Sequence, residues 1–575
     1  MLRLLTRPFP SRAQWRALAR PLFWSVVSGV VLRLGYPNVE WGWVAWVGLA
    51  PFLLQLYGKT AKEGAWLALG FGLVFFYLNL TWLNTLAEFN AFVPLGIALM
   101  ALICALYLIV FGALAAPILS RGGASAFFFV PALWTAVEAM RSWGEIGFPW
   151  IYLGHTQVNY LPMIQICDLT GVYGLSFLIV AANLTVADTW RFFAKKCGAR
   201  RPLAAKWGVA IGLLALTLLY GFRRLDEGNR EQAAGAGQAP FRVALIQPGV
   251  PQERKLASYA DPDLHVQEQL QAEMNGRLET ELQAISRELD GKGEPRPDLY
   301  LLPESAVTNT FFSAIPELTQ MVHRWARSVG APVFLGANRY VPPKGPNATQ
   351  PGPMYNSAFL VRPDSPSLNE YYDKVHLVPF GEYASYLGYI PGAADKILRI
   401  ADFNMGDGPR TFTVSGKDFG CVICFESCFA YLFRWYNRLE IDFMVIVTND
   451  AWYGLSTGPR RHQSQAIFRA VEMRRPVVRA ANTGISCVVD PWGRTTALLP
   501  LEEGKMRHIL AQVPLRAKSA GTKPARSVLT IYMRPWGEWL VWLCFVYCGV
   551  ALLSDWISRR GETRGVARPR GKNAR

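Results

Sequence analysis

Apolar residues in this chain are not spread evenly: they crowd into residues 20–222 and 536–556, while residues 240–515 read as ordinary water-soluble sequence. No other feature constrains the fold as strongly. A helix needs about 20 apolar residues to cross a bilayer, so a chain with both kinds of segment folds partly in lipid and partly in water. Composition agrees. Of 575 residues, 51% are hydrophobic and 18% charged, against the ~25% charged of an ordinary soluble protein.

Candidate spans lie near 20–34, 42–57, 64–84, 93–119, 125–141, 160–189, 205–222 and 535–556, about eight in all, with Arg33 at the end of the first. A cleaved signal is not expected, because no small-residue cleavage site follows the first apolar run and further spans do. The net charge of +17 would suit a nucleic-acid binder. The basic residues, however, flank the spans: Arg3, Arg7, Arg12, Arg16 and Arg20, then Arg191, Lys195, Lys196, Arg200, Arg201 and Lys206, then the tail over 557–575. Cytoplasmic loops and termini look like this, and nucleic acid is excluded. Seven spans ahead of the soluble region leave both termini inside and residues 225–534 outside, with Arg223 and Arg224 as the exception to the positive-inside pattern. The expected organisation is a membrane domain over 1–224, a polar Ala/Gly-rich linker over 225–240 and an extracytoplasmic domain over 241–515. A connector over 516–534, a last span over 535–556 and a basic cytoplasmic tail over 557–575 complete it.

Within 241–515, FRVALIQP (241–248), DLYLLPES (298–305), PVFLGANRY (332–340), YNSAFLV (355–361), FGCVICFES (419–427), FMVIVTND (443–450) and VVRAANTGISCVVD (477–490) read as strands or buried apolar runs. Helical patterns fill 263–289, 315–329, 428–438 and 460–475. Alternating buried strands and helices indicate a layered α/β domain, in which reactive groups gather where strands end. Three polar residues sit at such ends: Glu304, Lys374 and Cys424. Taken singly, each has an ordinary reading as a solvated carboxylate, a surface ammonium or a small buried hydrophobe. Together they form a nucleophilic site. Cys424 attacks as the thiolate, Lys374 supplies positive charge and stabilises an oxyanion, and Glu304 takes the thiol proton as general base. The product is an acyl-thioester and a two-step transfer.

These residues resemble the nitrilase superfamily of carbon–nitrogen hydrolases, whose Glu-Lys-Cys triad has this chain order, in LLPES (Glu304), DKVHLVPFGEY (Lys374) and CVICFES (Cys424). With the spans included, the chain resembles the apolipoprotein N-acyltransferase family. Further matching segments are VALIQPGVPQ (243–252), TNDAWYGLSTGP (448–459), RAVEMRRPVVRAANTGIS (469–486) and FPWIYLG (148–154). The resemblance implies an α-helical membrane bundle joined to an αββα sandwich in a bacterial inner membrane, catalytic domain in the periplasm, acting as a monomer. It implies acyl transfer from a phospholipid, typically phosphatidylethanolamine, through Cys424 to the α-amine of a diacylglyceryl-cysteine on an apolipoprotein, with no metal or cofactor. It also implies that Glu382 orients Lys374 and that Glu426 supports the loop beside the nucleophile. Two positions depart from the family pattern. Phe425 stands where many members have Tyr, and Lys255, Leu256 and Tyr259 occupy the neighbourhood where the family often has a Trp.

A lipid substrate follows from the residues as well, since a soluble amidase gains nothing from eight spans. Aromatics favour the membrane interface, which makes the segment 383–394 from Tyr383 onward, and the turn with Trp452, Tyr453 and Leu455, candidate acyl-chain contacts. The competing readings are a membrane-anchored amidase and a transporter or sensor with an external binding domain. The second needs acid/base residues within the spans, and Glu138 and Arg141 are the one obvious pair; they would equally suit a phospholipid head group. A redox or metal role for Cys421, Cys424 and Cys428 is disfavoured by their spacing and the lack of a fourth Cys nearby. A Cys-His mechanism would use His376 or His462. Cys104, Cys167, Cys544 and Cys548 lie in apolar spans and read as packing residues.

Overall fold

The first helix starts where the sequence supplies a cap. In the computed structural model Ser11 and Gln14 exchange side-chain and backbone hydrogen bonds ahead of α1 (Arg12–Arg33), satisfying amide donors that a helix start leaves open. Thr60 and Glu63 repeat the device ahead of α2 (Ala61–Leu80). The bundle continues with α3 (Val93–Arg121), α4 (Ala124–Met140), α5 (Val172–Phe193) and α6 (Arg200–Gly235). The structure describes residues 11–89, 91–122, 124–194, 200–235, 239–260, 263–293, 296–307, 312–343, 352–383, 402–515 and 530–565. The expected arm beyond Tyr383 (384–394), most of the connector and the end of the tail lie outside these residues.

α2 and α3 cross closely because both carry glycine at the contact. A Cβ on Gly64 would stand 2.2 Å from the Gly112 carbonyl oxygen, and one on Gly112 the same distance from that of Gly64. Without a hydrophobic drive between helices in lipid, such small residues let backbones pack. Five helices among the described residues are long and apolar enough to cross a membrane: 61–88, 93–121, 172–193, 202–233 and 539–559. The remaining expected spans have identifiable shortfalls. Residues 42–56 and 125–140 form shorter apolar helices, and α1 carries Arg12, Arg16, Arg20 and Arg33. The run 160–189 breaks into two short turns before α5, with Gly171 at φ +62° between them and the helix.

The stretch expected as a linker from 225 is helical as far as Gly235. Arg224–Glu227 and Asp226–Arg230 ion pairs extend the helix. Asn229 and Gln232 then bond Arg494 and Asp490 of the soluble domain. Arg224 is no free charge either: its guanidinium lies 2.9 Å from the buried Asp168.

The soluble domain is two six-stranded sheets packed face to face. In chain order the strands are β1 (Phe241–Gln247), β2 (Leu299–Leu301), β3 (Val333–Tyr340), β4 (Met354–Val361), β5 (Tyr371–Asp373) and β6 (Thr411–Val414). They continue with β7 (Lys417–Ile423), β8 (Phe443–Thr448), β9 (Val477–Ala481), β10 (Ser486–Val489), β11 (Thr495–Leu499) and β12 (Arg507–Val513). The spatial orders are β12-β1-β2-β3-β4-β5 and β11-β10-β9-β8-β7-β6. Residues 477–490, read as one run, are two antiparallel strands.

Inner faces meet through Phe334, Phe412, Phe419, Phe443 and Phe241. The outer face of the first sheet is covered by α8 (Leu264–Gly291) and α9 (Pro316–Val329), which follow the short α7 (Gln252–Ala260). The second sheet is covered by α10 (Ala430–Arg438) and α11 (Gly458–Met473). This is an αββα sandwich. One apolar cluster runs without interruption from the membrane helices through α10 and α11 to β7 and β8. Polar clamps reinforce the junction: Arg461 donates to Asn79 and the Pro37 carbonyl, and Arg474 to Asp168 and Gln165. The last helix, α12 (Trp539–Gly565), returns to the bundle beside α4.

Candidate active site

Strand ends deliver the three singled-out residues to one place. Glu304 follows β2, Lys374 follows β5 and Cys424 follows β7, all at carboxyl ends where the backbone leaves the sheet. Cys424 has φ +52° and Ser305, next to Glu304, φ +50°. Non-glycine residues take this left-handed conformation at a cost, and such strain clusters at functional sites. Lys374 is fully buried, and its ammonium stands 2.8 Å from Glu382 Oε1 and 3.6 Å from Glu304 Oε1. Asn356 Nδ2 donates to both carboxylates, at 2.7 Å to Glu304 and 3.0 Å to Glu382. The Asn449 amide donates to the other Glu304 oxygen at 2.8 Å, and the Val378 amide to the other Glu382 oxygen at 2.8 Å.

Charge follows from this geometry. Burial works against the Lys374 ammonium, but Glu382, Glu304 and Cys424 outweigh it and push its pKa above the ordinary lysine value. The Cys424 thiol is pushed well up, first by burial, then by Glu304, with Lys374 opposing. The resting thiol is therefore protonated, and it reacts only if a base removes its proton during attack. Glu304 is the carboxylate that acts most on it.

Glu426 binds the walls together. Its carboxylate accepts from the amides of Ile423, Val375 and His376 (2.7, 2.7 and 2.9 Å) and from the Tyr372 hydroxyl (2.9 Å). It thus links the turn carrying Cys424 to the segment carrying Lys374. Burial raises its pKa to about 7 although these donors oppose the rise. Phe425 packs against His376 and Phe429.

Sequence reasoning missed Asn356, Asn449 and the cluster behind the nucleophile turn. There His462 Nδ1 lies 2.8 Å from Asp450 Oδ1 and its Nε2 lies 2.8 Å from Ser427 Oγ and 3.0 Å from the Cys424 carbonyl oxygen. Arg479 donates to Asp450 at 2.7 Å. A visible signal existed in YNSAFLV, where an Asn sits within an apolar strand. His462 is thus committed to Asp450, Ser427 and the Cys424 backbone. His376 points elsewhere: its Nδ1 lies 2.8 Å from the Tyr431 hydroxyl. Burial, aided by Lys374, pushes the His376 pKa down to about 4. The unfolded chain then binds this proton first as pH falls, so stability held above about pH 6.5 is lost towards pH 4, up to about 3 kcal/mol. Unfolding of the detergent-solubilised protein at pH 7.5 and 4.5 should show this loss, and His376→Gln should reduce it.

The expected substrate contacts are dispersed. Trp452 and Tyr453 dock on the membrane domain: Thr85 Oγ1 donates to the Trp452 carbonyl (3.3 Å), and Tyr453 packs edge-on against Trp82, 4.8 Å between ring centres. Trp82 in turn stacks on Trp150, also at 4.8 Å. Leu455 is exposed. The Tyr383 carbonyl accepts from the Phe380 amide, closing the turn that holds Glu382. Glu138 and Arg141 are both buried. Glu138 accepts from Trp134 and the Leu153 amide, and Arg141 donates to the carbonyls of Phe148, Trp150 and Ile151. Their polar atoms hold the 148–153 segment. Cys421 lies in the inter-sheet core and Cys428 receives the Trp150 indole N–H; neither forms a disulfide.

Two family models match the chain: apolipoprotein N-acyltransferase N-terminal domain over residues 28–185 and carbon-nitrogen hydrolase over residues 268–518. A Geobacter metallireducens protein named apolipoprotein N-acyltransferase is 33% identical over 488 residues, covering 84% of this chain and 87% of its own. One of the same name from Gloeobacter violaceus is 30% identical, with 92% and 93% covered. Another from Pasteurella multocida is 26% identical, with 90% and 95% covered.

Proposed function

Because the chain belongs to the apolipoprotein N-acyltransferase family, we propose that Cys424 carries an acyl group from a membrane phospholipid to the N-terminal amine of a lipoprotein. The chain is an N-acyltransferase of lipoprotein maturation, a membrane protein with a nitrilase-like catalytic domain. In the proposed first step Glu304 takes the Cys424 proton as sulfur attacks an ester carbonyl of the donor. Lys374 receives the oxyanion, the lysophospholipid alkoxide leaves, and the proton on Glu304 passes to it. In the second step the α-amine of the diacylglyceryl-cysteine attacks the thioester. Glu304 takes the amine proton and returns it to the departing thiolate. Each bond is exchanged one for one, so the cycle is ping-pong. Glu382 orients Lys374, and Glu426 holds the nucleophile turn. The carrying observation is the buried Lys374 ammonium between Glu382 and Glu304, 2.8 and 3.6 Å away, with both that ammonium and Glu304 acting on the Cys424 thiol.

The donor is read as phosphatidylethanolamine and the enzyme as a monomer. With about eight crossings, both termini lie in the cytoplasm and residues 225–534 in the periplasm of the inner membrane, as the basic flanks of the spans favour. The Arg224–Asp168 pair supports this orientation, since it neutralises one of the two basic exceptions outside, Arg223 being the other. Acyl chains approach along an apolar cleft of about 340 Å³ lined by Leu73, Val74, Tyr77, Leu78, Ala98 and Ala101. α2, which lines the cleft, runs directly into the turn that carries Trp82 and Thr85. Tyr453→Ala is expected to cost about 1 kcal/mol of the edge-on Trp82 contact that docks this turn on the membrane domain, read as a lower unfolding temperature of the detergent-solubilised protein.

Vesicles containing the protein, labelled phosphatidylethanolamine and a diacylglyceryl-cysteine peptide test the reading. It predicts N-acylated peptide and lysophospholipid in equal amounts. Steady release of free fatty acid at the same rate without peptide would instead mark a hydrolase.

A further inference from the structure

A second lysine is buried beside the proposed general base, and the mechanism above does not use it. Lys255 lies on α7, is 2% exposed, and donates from Nζ to the Ser305 carbonyl at 2.9 Å. Lysines are almost never fully buried unless paired, so this one is held in place for a reason the packing alone does not supply. Its bond falls on the residue directly after Glu304, at φ +50°. The same helix start reaches the other side of the carboxylate. Gln252 Oε1 accepts from Asn449 Nδ2 at 2.9 Å, and the Asn449 amide is the donor to Glu304 Oε2. Across the segment, a Cβ on Gly336 would stand 2.5 Å from Glu304 Cα, so β3 closes the third side. Glu304 is clamped between β3, Asn449 and the Lys255–Ser305 bond.

We propose that Lys255 is a positioning residue for the base: its bond to the Ser305 carbonyl holds the Glu304 carboxylate at the thiol, and its charge favours the ionised carboxylate. The titratable groups that act with Glu304 are Lys374 from the segment after β5, Cys424 and Cys421 from β7 and its end, Tyr453 from the turn after β8, and Lys255, with Glu382 joined to it through Asn356. Glu304 in turn is the one charge acting appreciably on Lys255, whose pKa burial pushes down to about 8 against that attraction. Lys255 thus changes charge within the pH range where transfer is assayed, whereas Lys374, with its pKa pushed up, does not.

The inference rests on the proposed role of Glu304, and the test separates the two. Full-length protein in vesicles is assayed as Lys255→Met, Lys255→Gln and Lys255→Arg. Lys255→Met should lower kcat about 100-fold, the order of effect of a misplaced catalytic group, with KM for phospholipid changed less than about threefold. Removing a cation beside a carboxylate raises its pKa, so the acid limb of kcat/KM should move to higher pH in both neutral variants. Lys255→Gln retains a donor and decides the question if the Met variant fails to fold. Lys255→Arg keeps the charge, should recover most of the rate, and should lose any decline near pH 8 that the wild type shows. Wild-type kcat and an unchanged pH profile in the neutral variants would overturn the inference. Retained transfer by Glu304→Gln in the same assay would instead overturn the reading on which it rests.

Discussion

Cys424→Ala is expected to abolish transfer, lowering kcat by on the order of 10⁴-fold or more, as loss of a nucleophile does in other covalent mechanisms. Cys424 ends β7 at φ +52°, where the backbone leaves the sheet beside Glu304 and Lys374. The remaining cysteines near it are committed elsewhere, Cys421 to the inter-sheet core and Cys428 to the Trp150 indole. Alanine removes little volume, so the fold should persist, and donor binding should survive the loss of turnover. Cys424→Ser should be nearly as inactive. A buried serine hydroxyl is far harder to ionise than a thiol, and Glu304 is a weak base for it. Lysophospholipid release measured without acceptor checks this, because the first half-reaction alone requires the thiol.

Lys374→Met should cost both activity and stability. It leaves Glu304 and Glu382 buried, joined only through Asn356, with no cation between them. Two carboxylates in that position cannot both stay charged, and one takes up a proton. Removing one partner of a buried ionic group typically costs about 3–5 kcal/mol, and loss of the oxyanion partner adds roughly 10²–10³-fold in kcat. The double variant Lys374→Met with Glu382→Gln should regain much of the unfolding temperature without regaining activity. A Lys374→Met protein that is as stable and active as the wild type would remove the ammonium from the account.

How far the molecule could be read from its sequence depends on what sets each element. Hydropathy finds α2, α3 and α12, because bilayer thickness alone dictates such runs. It does not find the break at Gly171 or the continuation of α6 past 225, which follow from a backbone turn and from docking on Asp490 and Arg494. Apolar runs expose β1, β3, β4, β7 and β8, all buried on both faces. They miss β6, β11 and β12, which show exposed positions, and β5, only three residues long. Glu304, Lys374 and Cys424 stood out because they end such runs. Asn356 and Asn449 did not, since their partners depend on which strands lie side by side. Lys255 was visible only as an oddity of the segment after VPQ, because its burial depends on α7 folding back over the turn after β2.

The central claim is that the acyl chain travels as a thioester on Cys424. Intact-mass analysis of the purified protein after incubation with phosphatidylethanolamine tests it most directly. The account predicts one added acyl group, located on the peptide containing Cys424, stable in buffer and discharged by a diacylglyceryl-cysteine peptide as N-acylated product appears. N-acylated product formed while Cys424 stays unmodified, or an acyl group carried on another residue, would contradict it.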